Sequence, residues 1–368
     1  MSLAQDHGIA LHASQRRAIA HIKAQAISLR LAAVDVLSEI FSMSNIPISS
    51  LDLVRSAIRQ HARVALHFHP DRPVGNRVVA QGLLEDGTYR SQFETGISNG
   101  SVSAHAGGFR DLWERSLFQG AYHADDVSPC HRPRYGALNL MRNPEGPAPR
   151  FGSCYLVLKP EVSARSTFTF GGSQADPRYR GIVDEFDAVL SALFEECFTR
   201  DFALGVSGIR PPQLMARILD LHEPLPANVS NGVQCHNLDH FIEAQVHGDV
   251  HLDRDVEALI VDPSFRGSEI WQYIKGMATK YRFPLHCHHG FSMRVQDVPI
   301  DFRGPSMPSL AAAIARNGHQ LDAETIGRAV RELARHPESW SSRGTYAEVL
   351  QEMKLIWHVL VRFGWPYG

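Results

Sequence analysis

Apolar residues recur at helical spacing near both ends of the chain. Between residues 14 and 41 they return every three or four positions with charged residues between them, which predicts a long helix that Ser14 can cap. A shorter helix is predicted over residues 50–61. Beyond Pro308 the helical spacing returns and predicts three more helices, over residues 310–317, 323–336 and 345–363.

The middle of the chain instead shows the alternation typical of strands. In residues 64–69 apolar side chains alternate with two histidines, and Pro70 ends the run. Further short runs of β-like sequence occupy residues 135–140, 153–158, 166–170, 241–247 and 258–261. One helix, predicted over residues 182–198, interrupts these runs.

These patterns predict an α+β fold with three regions. We expect a helical N-terminal region over residues 1–62, a β-rich central domain over 63–305 and a helical C-terminal region over 306–368 that packs on the centre. At roughly 100–200 residues per domain, the length of 368 residues fits one large domain with appendages, or two domains.

Composition excludes some classes of function. The chain carries 37 Lys and Arg against 39 Asp and Glu, a formal charge of −2, and shows no basic stripe, so nucleic-acid binding is not expected. No run approaches the roughly 18 apolar residues of a membrane span, and the first residues lack the layout of a secretory leader. Five scattered cysteines without a Cys-x-x-Cys pair suit a reducing compartment. We therefore expect a soluble protein without membrane contact.

The first candidate motif, His67 to Arg72, follows the first predicted strand. Strand ends are common positions for reactive groups, and the guanidinium of Arg72 suits phosphate or ribose oxygens. His67 and His69 also form the His-x-His pair of many metal sites. An ordinary edge strand is the third interpretation.

The second motif is the segment 93–101, which is rich in Gly, Ser and Thr and is followed by Gly107 and Gly108. Free backbone N–H groups in such a segment can hold a phosphate or an amide. The segment lacks the Gly-Lys-Ser/Thr of a P-loop and the Gly-x-Gly-x-x-Gly of a dinucleotide fold. A surface turn stays the alternative.

Two later strands carry polar side chains. Alternation in 241–247 places Glu243, Gln245 and His247 on one face, opposite an apolar face that must contact the core. Such a strand lines a polar pocket or forms a solvated edge, and we favour the pocket. The strand with Ser166 and Thr167 has an ordinary β composition, and its hydroxyls matter only if they face a cleft.

A further cluster, the His-Cys-His-His run of residues 286–289, raises the possibility of zinc, with Cys235 and His236 as partners. Adjacent residues of a strand point to opposite faces, and the usual zinc spacings are missing. Packing is therefore favoured over metal binding.

In combination, these motifs resemble a known enzyme class. Arg72, then Ser166 with Thr167, then Glu243 follow the Arg, Ser-Thr, Glu order of mono-ADP-ribosyltransferases. The segments 93–100, 134–140 and 242–248 resemble the CteC-like family of bacterial type III effectors, which transfer ADP-ribose from NAD to a threonine of ubiquitin. The resemblance extends over residues 60–305.

The resemblance implies a split β-sandwich of the ADP-ribosyltransferase type, with NAD as a substrate and no metal. It implies Glu243, Arg72 and Ser166 as catalytic residues. It also implies contacts to NAD from Arg72, Ser166 and a further set of residues, namely His67, His69, Phe93, Thr95, Gly96, Ser98, Asn99, Tyr135, Thr167 and Gln245. Ubiquitin becomes the expected acceptor, its modification blocking host ubiquitination. The protein is then expected in the bacterial cytoplasm or, after specialised secretion, in a host cell.

One departure from the common pattern concerns the acceptor. The usual catalytic Glu closes a Glu/Gln-x-Glu pair, whereas here Glu243 comes first and Gln245 second, which fits an acceptor other than arginine. Two other functions stay open at this point. One is a metal-dependent hydrolase that would use His67, His69 and Asp71 with His286 and His288. The other is a non-catalytic effector that binds a host protein.

Overall fold

An eight-stranded sheet forms the centre of the computed structural model, which describes residues 10–96, 104–224, 233–316 and 318–367. The strands are β1 Val64–Phe68, β2 Arg134–Leu138, β3 Cys154–Leu158, β4 Ser166–Phe170, β5 Arg180–Gly181, β6 Ile242–Val246, β7 Val256–Val261 and β8 Leu285–Cys287. Their order across the sheet is β8-β7-β3-β1-β2-β6-β4-β5. Every neighbouring pair is antiparallel except β7 and β8.

Helices surround this sheet, so the fold is α+β as predicted. Those of at least two turns are α1 Ala13–Met43, α2 Ser50–His61, α3 Val79–Asp86, α4 Phe109–Leu117, α5 Asp187–Arg200, α6 Pro211–Leu219, α7 Glu269–Tyr281, α8 Met307–Ala315, α9 Ala323–Arg335 and α10 Tyr346–Phe363. Short two-stranded ribbons lie outside the main sheet, and one pairs Pro73–Val74 with Arg77–Val78.

The strands and terminal helices predicted from the sequence are present, with three differences. The side chain of His12, not Ser14, caps α1, because its ring accepts the N–H of Ser14. The helix predicted from residue 182 begins at Asp187, since Ile182 forms a β-bridge with Glu185. The central helices α3, α4, α6 and α7 were missed. Three of them span only eight or nine residues, and α7 contains glycine and aromatic residues that weaken the helical signal.

The two faces of the sheet differ in character. One face packs its apolar side chains, such as Leu66, Leu138, Phe168 and Ile242, into a large core that also contains residues of α2, α5 and α10. The other face carries small apolar clusters together with polar side chains, among them Glu243 and Gln245. The polar face therefore has room for a ligand.

The C-terminal helix α10 is anchored beside this polar face. Trp357 is fully buried, and its Nε1 donates to the carbonyl of Pro149 at 2.9 Å. All five cysteines carry free thiols. Within the described ranges, no helix has both the length and the hydropathy required to cross a bilayer.

His358 on α10 makes the stability of the fold dependent on pH. Burial, and then the nearby charges of Arg150, Arg303 and Lys354, lower its pKa from 6.5 to about 2. The unfolded chain therefore takes up a proton below about pH 6.5 that the folded chain does not bind, and the folded state loses stability as the pH falls. His358→Leu removes this loss. We expect the free energy of unfolding of the variant, relative to wild type, to improve by about 1 kcal/mol between pH 7.5 and pH 5.5 in urea titrations.

The exposed His105 supplies the control, as His105→Leu. An equal difference between His358→Leu and wild type at both pH values would contradict this account of His358.

Candidate functional site

A cavity of about 530 Å³ opens on the polar face of the sheet. Its walls come from the end of β1 and the segment after it, the centres of β2 and β6, the one-turn helix Gln92–Thr95, and the C-terminal helices α9 and α10. Seven of the residues singled out from the sequence line it, namely His67, His69, Arg72, Thr95, Gly96, Tyr135 and Glu243. Segments far apart in the chain therefore meet at this cavity.

Four other predicted residues do not line the cavity. Ser166 is fully buried and donates its hydroxyl to the carbonyl of Val162 at 2.9 Å. The ring of Phe93 lies against the guanidinium of Arg132, 4.3 Å from the ring centre. Thr167 and Gln245 lie behind Glu243. The structure thus gives Ser166 and Phe93 no contact with a ligand in the cavity. Ser98 and Asn99 lie outside the described residues.

Glu243 lies on the central strand β6, and its side chain is held at one oxygen. Its Oε1 accepts the Nε2–H of Gln245 at 3.0 Å and the backbone N–H of Ser173 at 3.2 Å. Its Oε2 accepts no hydrogen bond from the described part of the chain, and the residue is 5 % exposed. The carboxylate is therefore fixed in direction while one oxygen stays available to a ligand.

A line of hydrogen bonds supports Glu243 from behind. The Thr167 hydroxyl donates to Oε1 of Gln245 at 2.8 Å, and the same oxygen of Thr167 lies 3.1 Å from Nε2 of His247. Nδ1 of His247 in turn faces the Tyr122 hydroxyl. Burial lowers the pKa of His247 to about 3, so the ring is neutral. Because the Thr167 hydroxyl donates its proton to Gln245, its oxygen accepts from Nε2–H of His247, and Nδ1 of the neutral ring then accepts from the Tyr122 hydroxyl.

The line runs from Tyr122 through His247, Thr167 and Gln245 to Glu243. In each of its four hydrogen bonds, the donor is the residue farther from the carboxylate. Aligned donors of this kind polarise one another and stabilise the negative charge at the end of the line. The sheet register explains the alignment, because Gln245 pairs with Thr167 on β4. We call this line the Glu243 relay.

Arg72 follows β1 and presents a cation to the cavity. Burial lowers the pKa of its guanidinium, and it forms no ion pair or hydrogen bond with a side chain in the described ranges. The adjacent Asp71 instead pairs with Arg331 of α9 at 3.2 Å. A half-buried, unpaired guanidinium in a cavity favours an anionic or oxygen-rich ligand.

α9 fixes the Arg72 segment by close contact. Gly327 lies against Asp71, and a Cβ added to this glycine would stand 1.3 Å from Oδ2 of Asp71. The carboxyl of Asp71 is buried, and burial raises its pKa to about 6. The helix therefore determines where the segment bearing Arg72 lies.

Arg110, which the sequence reasoning did not select, lies next to Glu243. Its guanidinium stacks over Tyr135, 4.4 Å from the ring centre, and over Trp113 at 5.2 Å. It also reaches the hydroxyl of Ser173 at 3.4 Å. The only sequence feature that drew attention to this position is the glycine pair just before it, Gly107 and Gly108. Tyr346, Leu350 and Lys354 of α10 were also missed, although their four-residue spacing marks one helix face.

The histidine motifs use their ring nitrogens within the fold. His67 contacts the carbonyl of Gly152 through Nδ1 at 3.2 Å and accepts the N–H of Ala148 through Nε2 at 3.3 Å. Burial lowers the pKa of His67 to about 3. His288 is held in the same way between Ser153 and Gly290. Within the described residues no three His, Cys, Asp or Glu side chains are grouped to hold a metal ion. The ligand set of the hydrolase hypothesis is therefore not assembled in that part of the chain.

The comparisons with known proteins place the site within a family. No curated protein matches the sequence. Residues 63–363 match a family model described as "Protein of unknown function (DUF3626)". The match spans the sheet, the cavity and the helices α9 and α10, and it extends over more than half of the 368 residues. The chain therefore belongs to the DUF3626 family.

Proposed function

We propose that this protein is a mono-ADP-ribosyltransferase that transfers ADP-ribose from NAD to a hydroxyl acceptor, a threonine of ubiquitin. The observation that carries the proposal is the cavity. The carboxylate of Glu243, which has one oxygen available to a ligand, and the unpaired guanidinium of Arg72 line the same space. Those two residues are the first and last elements of the Arg, Ser-Thr, Glu order that the sequence resembles.

The motif residues of the resemblance lie on or beside strands of one sheet, which supports a common site for them. Arg72 follows β1, Thr167 lies on β4, and Glu243 lies on β6, which is paired between β2 and β4. The proposal includes the split β-sandwich that the resemblance implies, with this eight-stranded sheet as its centre.

The chemistry begins with cleavage of the bond between C1′ of the ribose and the nicotinamide nitrogen. Nicotinamide leaves with the electron pair, and the ribose becomes oxocarbenium-like, as in glycoside hydrolysis. Oε2 of Glu243 accepts a hydrogen bond from the ribose 2′-hydroxyl and stabilises the developing positive charge. The oxygen of the acceptor hydroxyl then forms the bond to C1′, and its proton passes to Glu243.

Other residues hold the substrate in place for this step. Arg72 holds the diphosphate or the ribose beside it. The backbone at Gly96 takes the nicotinamide amide, and a Cβ on Gly96 would meet no atom of the described residues within 4 Å. The residues of the Glu243 relay act as positioning residues, because they reach the substrate only through the carboxylate.

The relay predicts a specific effect of Thr167→Val. The substitution keeps the shape of the side chain but removes the hydroxyl that connects His247 and Gln245. We expect kcat for nicotinamide release to fall about 10-fold, corresponding to the loss of about one buried hydrogen bond, while KM for NAD changes little. Steady-state kinetics check the result, and Thr167→Ser, which retains the hydroxyl, should preserve the rate. Equal loss in both variants would refute the relay.

Transfer to a protein is tested by the mass of the acceptor. Purified protein is incubated with NAD and ubiquitin, and the mass of ubiquitin is then measured by mass spectrometry. A gain of one ADP-ribose on a threonine, with none from the Glu243→Gln variant, is the expected result. Nicotinamide release without modified ubiquitin would reject ubiquitin as the acceptor. Unchanged host-protein binding by Glu243→Gln, together with no NAD turnover by wild type, would favour a binding module instead.

A further inference from the structure

The outer face of α1 carries apolar side chains that the described part of the chain leaves exposed. The inner face of this helix is fully used, because its buried side chains pack into the main core and into a second apolar cluster. On the outer face, Ile27 is 45 % exposed and Leu31 is 81 % exposed. Small side chains lie beside them on this face, namely the exposed Ala20 and Ala24 and the half-buried Val34. A second helix can therefore approach the outer face closely.

Four residues of this face stand one turn apart, in the order Lys23, Ile27, Leu31, Asp35, and all four are exposed. Residues four positions apart form one ridge of a helix, and this ridge is about 18 Å long. The order of cation, apolar, apolar and anion is its own complement when the helix is turned end to end. Around a point midway between Ile27 and Leu31, the ridge of a second, antiparallel copy places Lys23 beside Asp35 and Ile27 beside Leu31.

The charges at the two ends of this ridge have no partner among the described residues. Neither Lys23 nor Asp35 forms an ion pair or a side-chain hydrogen bond there. Arg30, which lies between them in the chain, points to the flank of the helix and pairs with Glu185 at 2.6 Å. Both ends of the ridge are therefore available to opposite charges from outside the chain.

The distribution of charge along the whole of α1 points to the same partner. Arg16 and Arg17 lie near the N-terminus of the helix, and Glu39 lies near its C-terminus. This is the reverse of the arrangement that the helix dipole favours, so the stability of the isolated helix does not explain it. An antiparallel copy places the basic half of each helix beside the acidic half of the other.

We propose that the outer face of α1 is the interface of a homodimer, in which two copies of the helix pack antiparallel around a two-fold axis between Ile27 and Leu31. Ridges of this spacing interdigitate at a crossing angle of about −50°. The contact is isologous and closes at two copies. An unrelated partner would need no end-to-end complement of this order. The inference is independent of the proposed transferase activity, because α1 contributes no wall of the cavity and precedes the family match at residue 63.

The homodimer is tested by sedimentation equilibrium of the full chain. Three turns of one helix bury less than the roughly 1,200 Å² of a stable interface, so we expect a dissociation constant of about 10–100 μM. Leu31→Asp puts two carboxylates at the centre of the interface and should raise this constant at least about 100-fold. Ile300→Asp, at an isoleucine outside α1 that is 67 % exposed, is the control and should match wild type.

Two outcomes of this measurement would overturn the homodimer. A wild-type protein that stays monomeric up to about 500 μM would leave the outer face of α1 to a different partner. A dimer that Leu31→Asp weakens no more than Ile300→Asp would place the interface elsewhere. Circular dichroism and thermal unfolding verify that both variants keep the fold.

Charge reversal tests the antiparallel register. Lys23→Asp brings two carboxylates together in each of the two symmetric pairs, and Asp35→Lys brings two ammonium groups together, so each variant alone should dimerise about 10-fold more weakly than wild type. Titrating one labelled variant with the other restores opposite charges at both pairs, and the mixed dimer should regain wild-type affinity.

The same two variants give a different result in other arrangements. In a parallel dimer, Lys23 would already face Lys23 and Asp35 would face Asp35. Each variant alone would then dimerise as well as wild type, and the mixed dimer would be tighter, which would overturn the antiparallel register. Weakening in each variant without recovery in the mixture would show that Lys23 and Asp35 do not face each other, and would overturn it as well.

Discussion

Replacing Glu243 by Gln is expected to reduce the rate of nicotinamide release by about 10²–10³-fold, the usual effect of removing a preorganised electrostatic group. The amide has nearly the shape of the carboxylate, so Gln245 and Ser173 keep neighbours of similar size. It carries no negative charge to stabilise the oxocarbenium-like ribose and cannot take the acceptor proton. Initial rates at saturating NAD measure the effect.

The matched control is Glu195→Gln, on the exposed side of α5, which should leave the rate unchanged. Thermal unfolding of both variants verifies that the fold is intact. A Glu243→Gln enzyme that turns over NAD within a factor of two of wild type would remove Glu243 from the mechanism.

Gly327→Ala is expected to damage the site from a distance. In an ordinary helix interior, alanine is more favourable than glycine by about 1 kcal/mol. Here the added methyl group would overlap the buried carboxyl of Asp71, so this carboxyl must leave its place beside Arg331 or α9 must shift, at a cost of about 1–3 kcal/mol in the free energy of unfolding. Because Arg72 moves with Asp71, we also expect KM for NAD to rise. Urea titrations and steady-state kinetics measure the two effects.

A second helical glycine provides the control. A Cβ on Gly276 of α7 would meet only the end of the Leu84 side chain, at 3.2 Å, which can adjust. Gly276→Ala should therefore leave the free energy of unfolding unchanged or raise it by up to about 1 kcal/mol, with KM unaffected. If Gly327→Ala is as harmless as Gly276→Ala, close packing of α9 does not fix the Arg72 segment.

Strand periodicity predicted the part of the site that lies on β6. Alternate residues of a strand share a face, so Glu243, Gln245 and His247 could be grouped without knowing the fold. Their burial on both sides follows from the central position of β6, which the sequence does not reveal. The sequence therefore predicted the polar pocket and did not predict the Glu243 relay.

The pairing of Ser166 with Thr167 shows why register matters. Neighbours on a strand point to opposite faces, so only one of these two hydroxyls can face Glu243. The ladder pairs Thr167 with Gln245 and Ser166 with Val246, which places Thr167 on the polar face and Ser166 on the core side. The family pattern pointed to both residues, and only the register separates them.

Residues from distant segments were beyond sequence reasoning. Arg110 and Lys354 reach the cavity from helices 244 positions apart in the chain, and neither belongs to a recognisable motif. For the histidine-rich segments the sequence left both metal binding and packing open, and favoured packing for residues 286–289. In the structure, backbone carbonyl and N–H groups contact the ring nitrogens of His67 and His288. Such contacts depend on the packing of loops, which no residue pattern indicates.

The most direct test of the central claim is to incubate the purified protein with NAD and to quantify free nicotinamide by chromatography, with NAD binding measured in parallel by calorimetry. The account predicts bound NAD and nicotinamide release above the blank, both weakened by Arg72→Ala, with only release lost in Glu243→Gln. Neither turnover nor binding of NAD by the wild-type protein would contradict the account.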